Sequence, residues 1–175
     1  MKRSEIRPMP QYFDKYINLV ADVELSQAFD DSIAELNRLD INRLTELNGK
    51  RYAQEKWTIK EVIQHLTDVE RILSYRTLLF ARKDPTTPAG FDPDFLVTTA
   101  NADRRRVEDL IDELRDVRIA TKTLFASFDH ETLLNKGINW KYEISVGAMG
   151  FNIIGHQIHH LKIVKEKYYP LLERD

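Results

Sequence analysis

Four stretches of this chain repeat apolar residues every three and four positions, and that spacing restricts what it can fold into. Residues 23–39 carry Leu25, Phe29, Ile33 and Leu36. Residues 58–81 carry Val62, Leu66, Val69, Ile72 and Leu73. Residues 103–125 carry Val107, Leu110, Ile111, Leu114, Val117, Thr121 and Leu124, and residues 145–168 form a fourth such segment. A spacing of three and four puts the apolar side chains on one stripe of a helix. Four long amphipathic helices, with no persuasive alternating strand, predict an all-α four-helix bundle. The links 37–57, 81–103 and 128–145 are long, so the order need not be up-and-down, and they can wall one end. A short extended piece is expected in "GINWKYEIS", residues 137–145. The 175 residues suit one domain, taken as 1–175.

The second helix announces its start. In "TIKE", the Thr58 hydroxyl can accept an early backbone N–H, and the Glu61 carboxylate can reach back to the cap N–H. Trp57 stands just before the cap, where it can close the helix end. Pro85 and Pro88 stop the pattern.

Several classes of function drop out. The chain has no cysteine, which excludes a disulfide scaffold, a zinc–thiolate site and a cysteine nucleophile, and fits a reducing cytoplasm. The net charge is -2, and the run Arg104, Arg105, Arg106 is followed at once by Glu108, Asp109, Asp112 and Glu113. That is a solvated helix face, and no nucleic-acid partner is expected. No run approaches the roughly 18 apolar residues of a membrane span, and the N-terminus lacks the apolar stretch of a signal peptide.

The histidines are the chemical signal. Three of five lie in "GHQIHH", interleaved with Ile153, Ile154, Ile158, Leu161, Ile163 and Val164, which is the texture of a folded segment and not of a purification tag. At about 100° per residue, His160 falls about 40° from His156, on the side of Met149, Ile153 and Ile163, and His159 falls about 60° the other way. Histidines at i and i+4 can converge on one ion, the spacing of the H-E-x-x-H helix, although its glutamate is missing here. His65 lies on the apolar face of the second helix, three residues after Val62 and four before Val69. A lone inward histidine is usually a hydrogen-bonded core residue. Three of them, from two helices, form a candidate metal set. Asp68, three residues after His65, can be a fourth ligand, an orienting carboxylate or a surface charge. Glu70 points elsewhere and is expected to pair with a base. His130 is expected in a surface turn, and Tyr75 as a boundary packing residue.

The strings "KWTIKEVIQHLTDVE" and "GHQIHHLKIV" resemble the DinB-like metalloprotein superfamily, closest to its YfiT-type branch of metal-dependent hydrolases and related bacillithiol transferases. The pattern is W-[ST], six residues, H-x-x-[DE], and about ninety residues later H-x-x-x-H. The resemblance implies a four-helix bundle with rearranged helix order, often dimeric. It also implies one divalent ion, zinc or nickel, held by His65, His156 and His160, with His159 a neighbour outside the ligand set. Members of the family catalyse different reactions.

A three-imidazole site can activate either a thiol or a water. The first expectation is therefore transfer of a low-molecular-weight thiol to an electrophilic small molecule, and the alternative is hydrolysis. For a hydrolase, His159 and Asp68 are the only nearby groups to handle the proton. A third option is a non-enzymatic metal-binding or structural bundle. The fourth helix is also apolar opposite its histidines, at Ile154, Ile158 and Leu161, so either the linkers (Phe91, Phe95, Leu133, Trp140) or a second subunit must cover it. A homodimer is the expectation.

Overall fold

The computed structural model describes residues 1–173. In chain order the elements are α1 (Asp14–Ile17), α2 (Leu25–Asn37), α3 (Ile41–Glu46), α4 (Ile59–Ala81), α5 (Pro93–Thr99), α6 (Val107–Ala126), α7 (His130–Leu134), β1 (Lys136–Asn139), β2 (Tyr142–Ser145) and α8 (Val146–Ile163). The bundle is α2, α4, α6 and α8, the four periodic segments of the sequence. α4 packs on α6 and α8, and α2 packs on the same two helices. The successive pairs α2/α4 and α6/α8 are therefore the diagonals, which is a non-sequential order. The long links make this possible, because crossing a diagonal needs more chain than a tight turn provides.

The cap expected at the start of α4 is present. Thr58 Oγ1 accepts from the Glu61 backbone N–H at 3.3 Å, and Glu61 Oε2 accepts from the Thr58 N–H at 2.6 Å. Arg51 holds the same carboxylate at 3.0 Å, fixing the preceding loop to the helix end. The extended piece is an antiparallel hairpin, β1 pairing with β2 from Lys136↔Ser145 to Asn139↔Tyr142. Trp140 at its tip has φ 60°, a left-handed conformation that costs a bulky residue on the order of 1 kcal/mol or more. Its ring lies 5.1 Å from Tyr12 and 5.8 Å from Tyr142.

The core divides along the bundle. One cluster gathers Ile17, Phe29, Val69, Met149 and Ile153, and the other gathers Leu36, Val62, Ile63, Leu66, Leu110 and Val164. On α4 the change from one to the other falls between Leu66 and Val69, and on α8 between Ile158 and Ile163. A polar layer occupies that level. Glu70 takes both hydrogen bonds of a bidentate pair from Arg118, each 2.8 Å, and both side chains are buried. This is the basic partner expected for Glu70.

Three expectations change. Ile154 and Leu161, on the outer stripe of α8, are buried within the protomer, and Ile158 packs against the first core cluster. Gly155 and Gln157 sit about 100° to either side of His156, the first against the Tyr16 backbone of α1 and the second donating to Ser32 O on α2 at 3.1 Å. So α1 and α2 cover the stripe, while Phe95 and Trp140 of the linkers stay about half exposed or more. Tyr75 is 57% exposed and is not a packing residue. Arg105 is not merely solvated: it bonds Gln64 at 3.0 Å and pairs with Glu113. Among the described residues no helix is long and apolar enough to cross a membrane.

Candidate metal centre

The polar layer opens on one side into the site. His65 comes from the inward stripe of α4, and His156 and His160 from successive turns of α8. His65 Nε2 lies 3.2 Å from His156 Nε2, and His160 Nε2 lies 3.1 Å from His156 Nε2. The three offer ligand atoms that all fall within 4.8 Å of one another. Nitrogens about 2.05 Å from a tetrahedral ion stand about 3.3 Å apart, so the set has the dimensions of a ligand triad. Three nitrogens turned on one point are poor company for one another, because each either carries a proton or presents a lone pair, and a cation between them resolves the conflict.

Desolvation keeps these rings neutral. Burial pulls His65 down to about 4 and His160 down to about 3. Burial holds His156 well below the ordinary imidazole value, with further lowering from the neighbouring histidines. Near pH 7 all three are uncharged and fit for coordination.

Aromatic side chains fix the rings. Trp57 lies 4.5 Å from His65 and stacks at 6.2 Å on His160. Its carbonyl accepts from the Tyr168 hydroxyl at 2.5 Å. Residues Val164–Tyr168, just after the last histidine, form a π-helical turn, which alters the angle at which Tyr168 leaves the helix. Such turns are frequent beside functional sites. Tyr16 presents its face or edge at 5.3 Å to both His156 and His159. The close approach of α1 that brings it there needs a residue without Cβ at 155.

The triad lies on a cavity of about 450 Å³, which is also lined by Phe13, Trp57, Phe91 and Trp140, and by Arg76, Asn139 and Asn152. His159 lines it too, half-buried, its pKa lowered first by burial and then by Lys15 and Lys162. Asp68 is not brought to the triad. It accepts from Gln64 at 2.8 Å, and its electrostatic neighbours are Arg71, Arg105 and Glu113. Three residues along a helix is about 300°, so Asp68 turns from the His65 face toward α6. His130, the first residue of α7, is exposed, as expected. Sequence reading passed over Tyr16, Arg76, Asn139 and Asn152. For Arg76 and Asn152 the same helical arithmetic that selected the histidines would have found them.

A family model described as the DinB superfamily matches residues 23–164. Among solved structures, YfiT from Bacillus subtilis, described as a probable metal-dependent hydrolase with an unusual four-helix bundle topology, superposes with a TM-score of 0.70 at 14% identity, covering 98% of this chain and 93% of that one. At that identity the likeness establishes the fold. No curated protein matches the sequence.

Proposed function

We propose, from the premise that this chain belongs to the DinB superfamily, that it is a divalent-metal enzyme joining a low-molecular-weight thiol to an electrophilic small molecule. His65, His156 and His160 would hold the ion, zinc or nickel, both of which accept imidazole. A divalent ion bound to three neutral imidazoles keeps its full charge and lowers the pKa of a thiol or water brought to it.

The observation that carries the choice of thiol over water is the composition of the cavity wall. Among the described residues no carboxylate lines it. A hydrolase of this kind needs a strong, well-placed base for its water; Asp68 faces away, and that leaves only His159, whose lowered pKa makes it a weak base for water. A thiol is far more acidic than water (about 8.5 for a cysteine side chain) and needs only a modest proton acceptor. His159, neutral near pH 7 and on the cavity wall, can take that proton. The sulfur lone pair then forms the S–C bond, and the electrophile's leaving group, or its displaced π pair, carries the electrons away. Phe13, Trp57, Phe91 and Trp140 shield the sulfur from water. A homodimer, which rests on the family resemblance, and a cytoplasmic location, which the absence of cysteine fits, belong to the same reading.

The test is conjugation by metal-loaded protein, across a panel of small thiols with monochlorobimane as electrophile. The expected result is turnover above the uncatalysed rate that chelator and His156→Ala both abolish. Background rates with every thiol overturn the reading. Chelator-sensitive cleavage of esters, amides or lactones in their place transfers it to hydrolysis.

A further inference from the structure

The stripe of α4 that carries His65 continues along the cavity through Val69 and Leu73 to Arg76. Eleven residues turn a helix by three turns plus about 20° and advance it by about 16 Å. Arg76 therefore shares the His65 face, three turns away, at the other end of the cavity. It is 3% exposed. Its Nη1 donates to Asn139 Oδ1 and its Nη2 to Ala89 O at 2.6 Å, and the Phe91 ring centre lies 5.2 Å from its guanidinium carbon. All of these partners are neutral. Among the described residues no carboxylate pairs with it.

The fold shows how it treats a buried arginine whose role is structural. Arg118, 1% exposed, is met by both oxygens of Glu70. A buried charge without a counter-ion is costly, and burial pulls the Arg76 pKa down. Yet the neutral partners hold this guanidinium at a cavity wall. A second polar group on the same wall is also incomplete. Asn152, one turn before His156, is 3% exposed, and its Oδ1 is buried without a hydrogen-bond partner. The cavity thus has three histidines at one end, an unmatched hydrogen-bond acceptor on α8 between aromatic walls, and an unmatched cation at the other end.

We infer that Arg76 is the anion-recognition residue of this cavity, taking the carboxylate of an elongated small molecule whose opposite end reaches the three histidines, while Asn152 Oδ1 accepts from an N–H or O–H along its length. What happens at the histidine end rests on the function proposed above, and the anion subsite does not. The planar guanidinium fork matches a carboxylate. One monoanion cancels one buried charge, whereas a phosphate dianion would bring a surplus charge among aromatic walls.

Both tryptophans of the chain, Trp57 and Trp140, line the cavity, so their fluorescence reports its occupancy. The experiment titrates 4-phenylbutyrate and its uncharged match, 4-phenylbutanamide, into metal-loaded and chelator-treated protein. The acid is expected to bind about tenfold or more tightly than the amide, as a charge-assisted contact provides. The preference should persist without metal and in His156→Ala, and vanish in Arg76→Gln. Equal affinities, no binding of the acid, or a preference that survives Arg76→Gln overturns the inference. So does a preference that disappears with the metal, because it places the carboxylate on the histidines. If Arg76→Gln does not fold, the acid-to-amide ratio of the unaltered protein, with and without metal, decides. Failure of thiol conjugation leaves this ratio untouched, so the two readings fail separately.

Discussion

Gly155→Ala sets two effects of known size against each other at the residue before His156. Alanine is favoured over glycine inside a helix by about 1 kcal/mol, so sequence reasoning alone expects stabilisation. The structure expects the reverse. A Cβ at 155 would lie 2.0 Å from the Tyr16 carbonyl oxygen and 2.5 Å from its carbon, against an ordinary contact of at least 3.4 Å. The obstacle is backbone, so no rotamer change relieves it, and α1 must withdraw by more than 1 Å. That loosens Phe13, Ile17 and Val20, all buried, and overpacking of this kind costs up to about 3 kcal/mol. The net is a loss of about 2 kcal/mol, or a Tm lower by about 4–8 °C for a chain of this size. Thermal unfolding followed by far-UV circular dichroism measures it. Gly150→Ala is the control, because its nearest obstacles are side-chain atoms of Phe125 and Leu25 that can yield, and its loss should be smaller. A Gly155→Ala Tm equal to or above the starting value would refute the seating of α1 on α8, and with it the placement of Tyr16.

Three further outcomes are expected. Glu70→Ala strands the buried Arg118 and should cost about 3–5 kcal/mol in denaturant unfolding, whereas the double replacement Glu70→Leu, Arg118→Met should recover most of the loss. Burial raises the Tyr168 pKa above its ordinary 10.0, so the folded chain keeps this proton while the unfolded chain releases it, and stability falls as pH rises past about 10. Tyr168→Phe should cost about 1 kcal/mol near neutral pH through the lost bond to Trp57, and that deficit should shrink in alkali; a constant deficit refutes the assignment. His156→Ala should keep its helical circular dichroism, because both core clusters are independent of an ion, and lose stoichiometric metal by elemental analysis; global unfolding would make the site structural.

The parts of this protein legible in its sequence are those governed by regular geometry. The 3.6-residue period marked all four bundle helices, the Thr58–Glu61 reciprocity marked a helix start to the residue, and 100° steps set His65, His156 and His160 facing inward. What the sequence hid depends on which helix lies beside which. The diagonal order of α2/α4 and α6/α8 leaves no periodic trace. Asp68 seemed close to His65 by residue count, but α6 packs on the side to which it turns. α1 is a four-residue turn, too short to show a period, yet it supplies Tyr16 and covers half of the outer stripe of α8. That covering removes the apolar argument for a dimer. Sedimentation of the unaltered chain at tens of micromolar now tests the homodimer directly, with a monomer ending it, whereas Ile158→Glu would also disturb the packing of Ile158 on the first core cluster. Arg76 was within reach of helical arithmetic, but nothing in the string "SYRTL" says that its guanidinium lacks a carboxylate.

The central claim is that three histidines from two helices hold one catalytic ion. X-ray absorption at the metal edge, on untagged protein purified without added metal or chelator, tests it most directly. The account predicts one equivalent of zinc or nickel per chain with three imidazole nitrogens at about 2.0–2.1 Å and a further position filled by an exchangeable light atom, all lost in His65→Ala. Protein free of metal, an ion with fewer than three imidazoles, or the same spectrum retained in His65→Ala would contradict it.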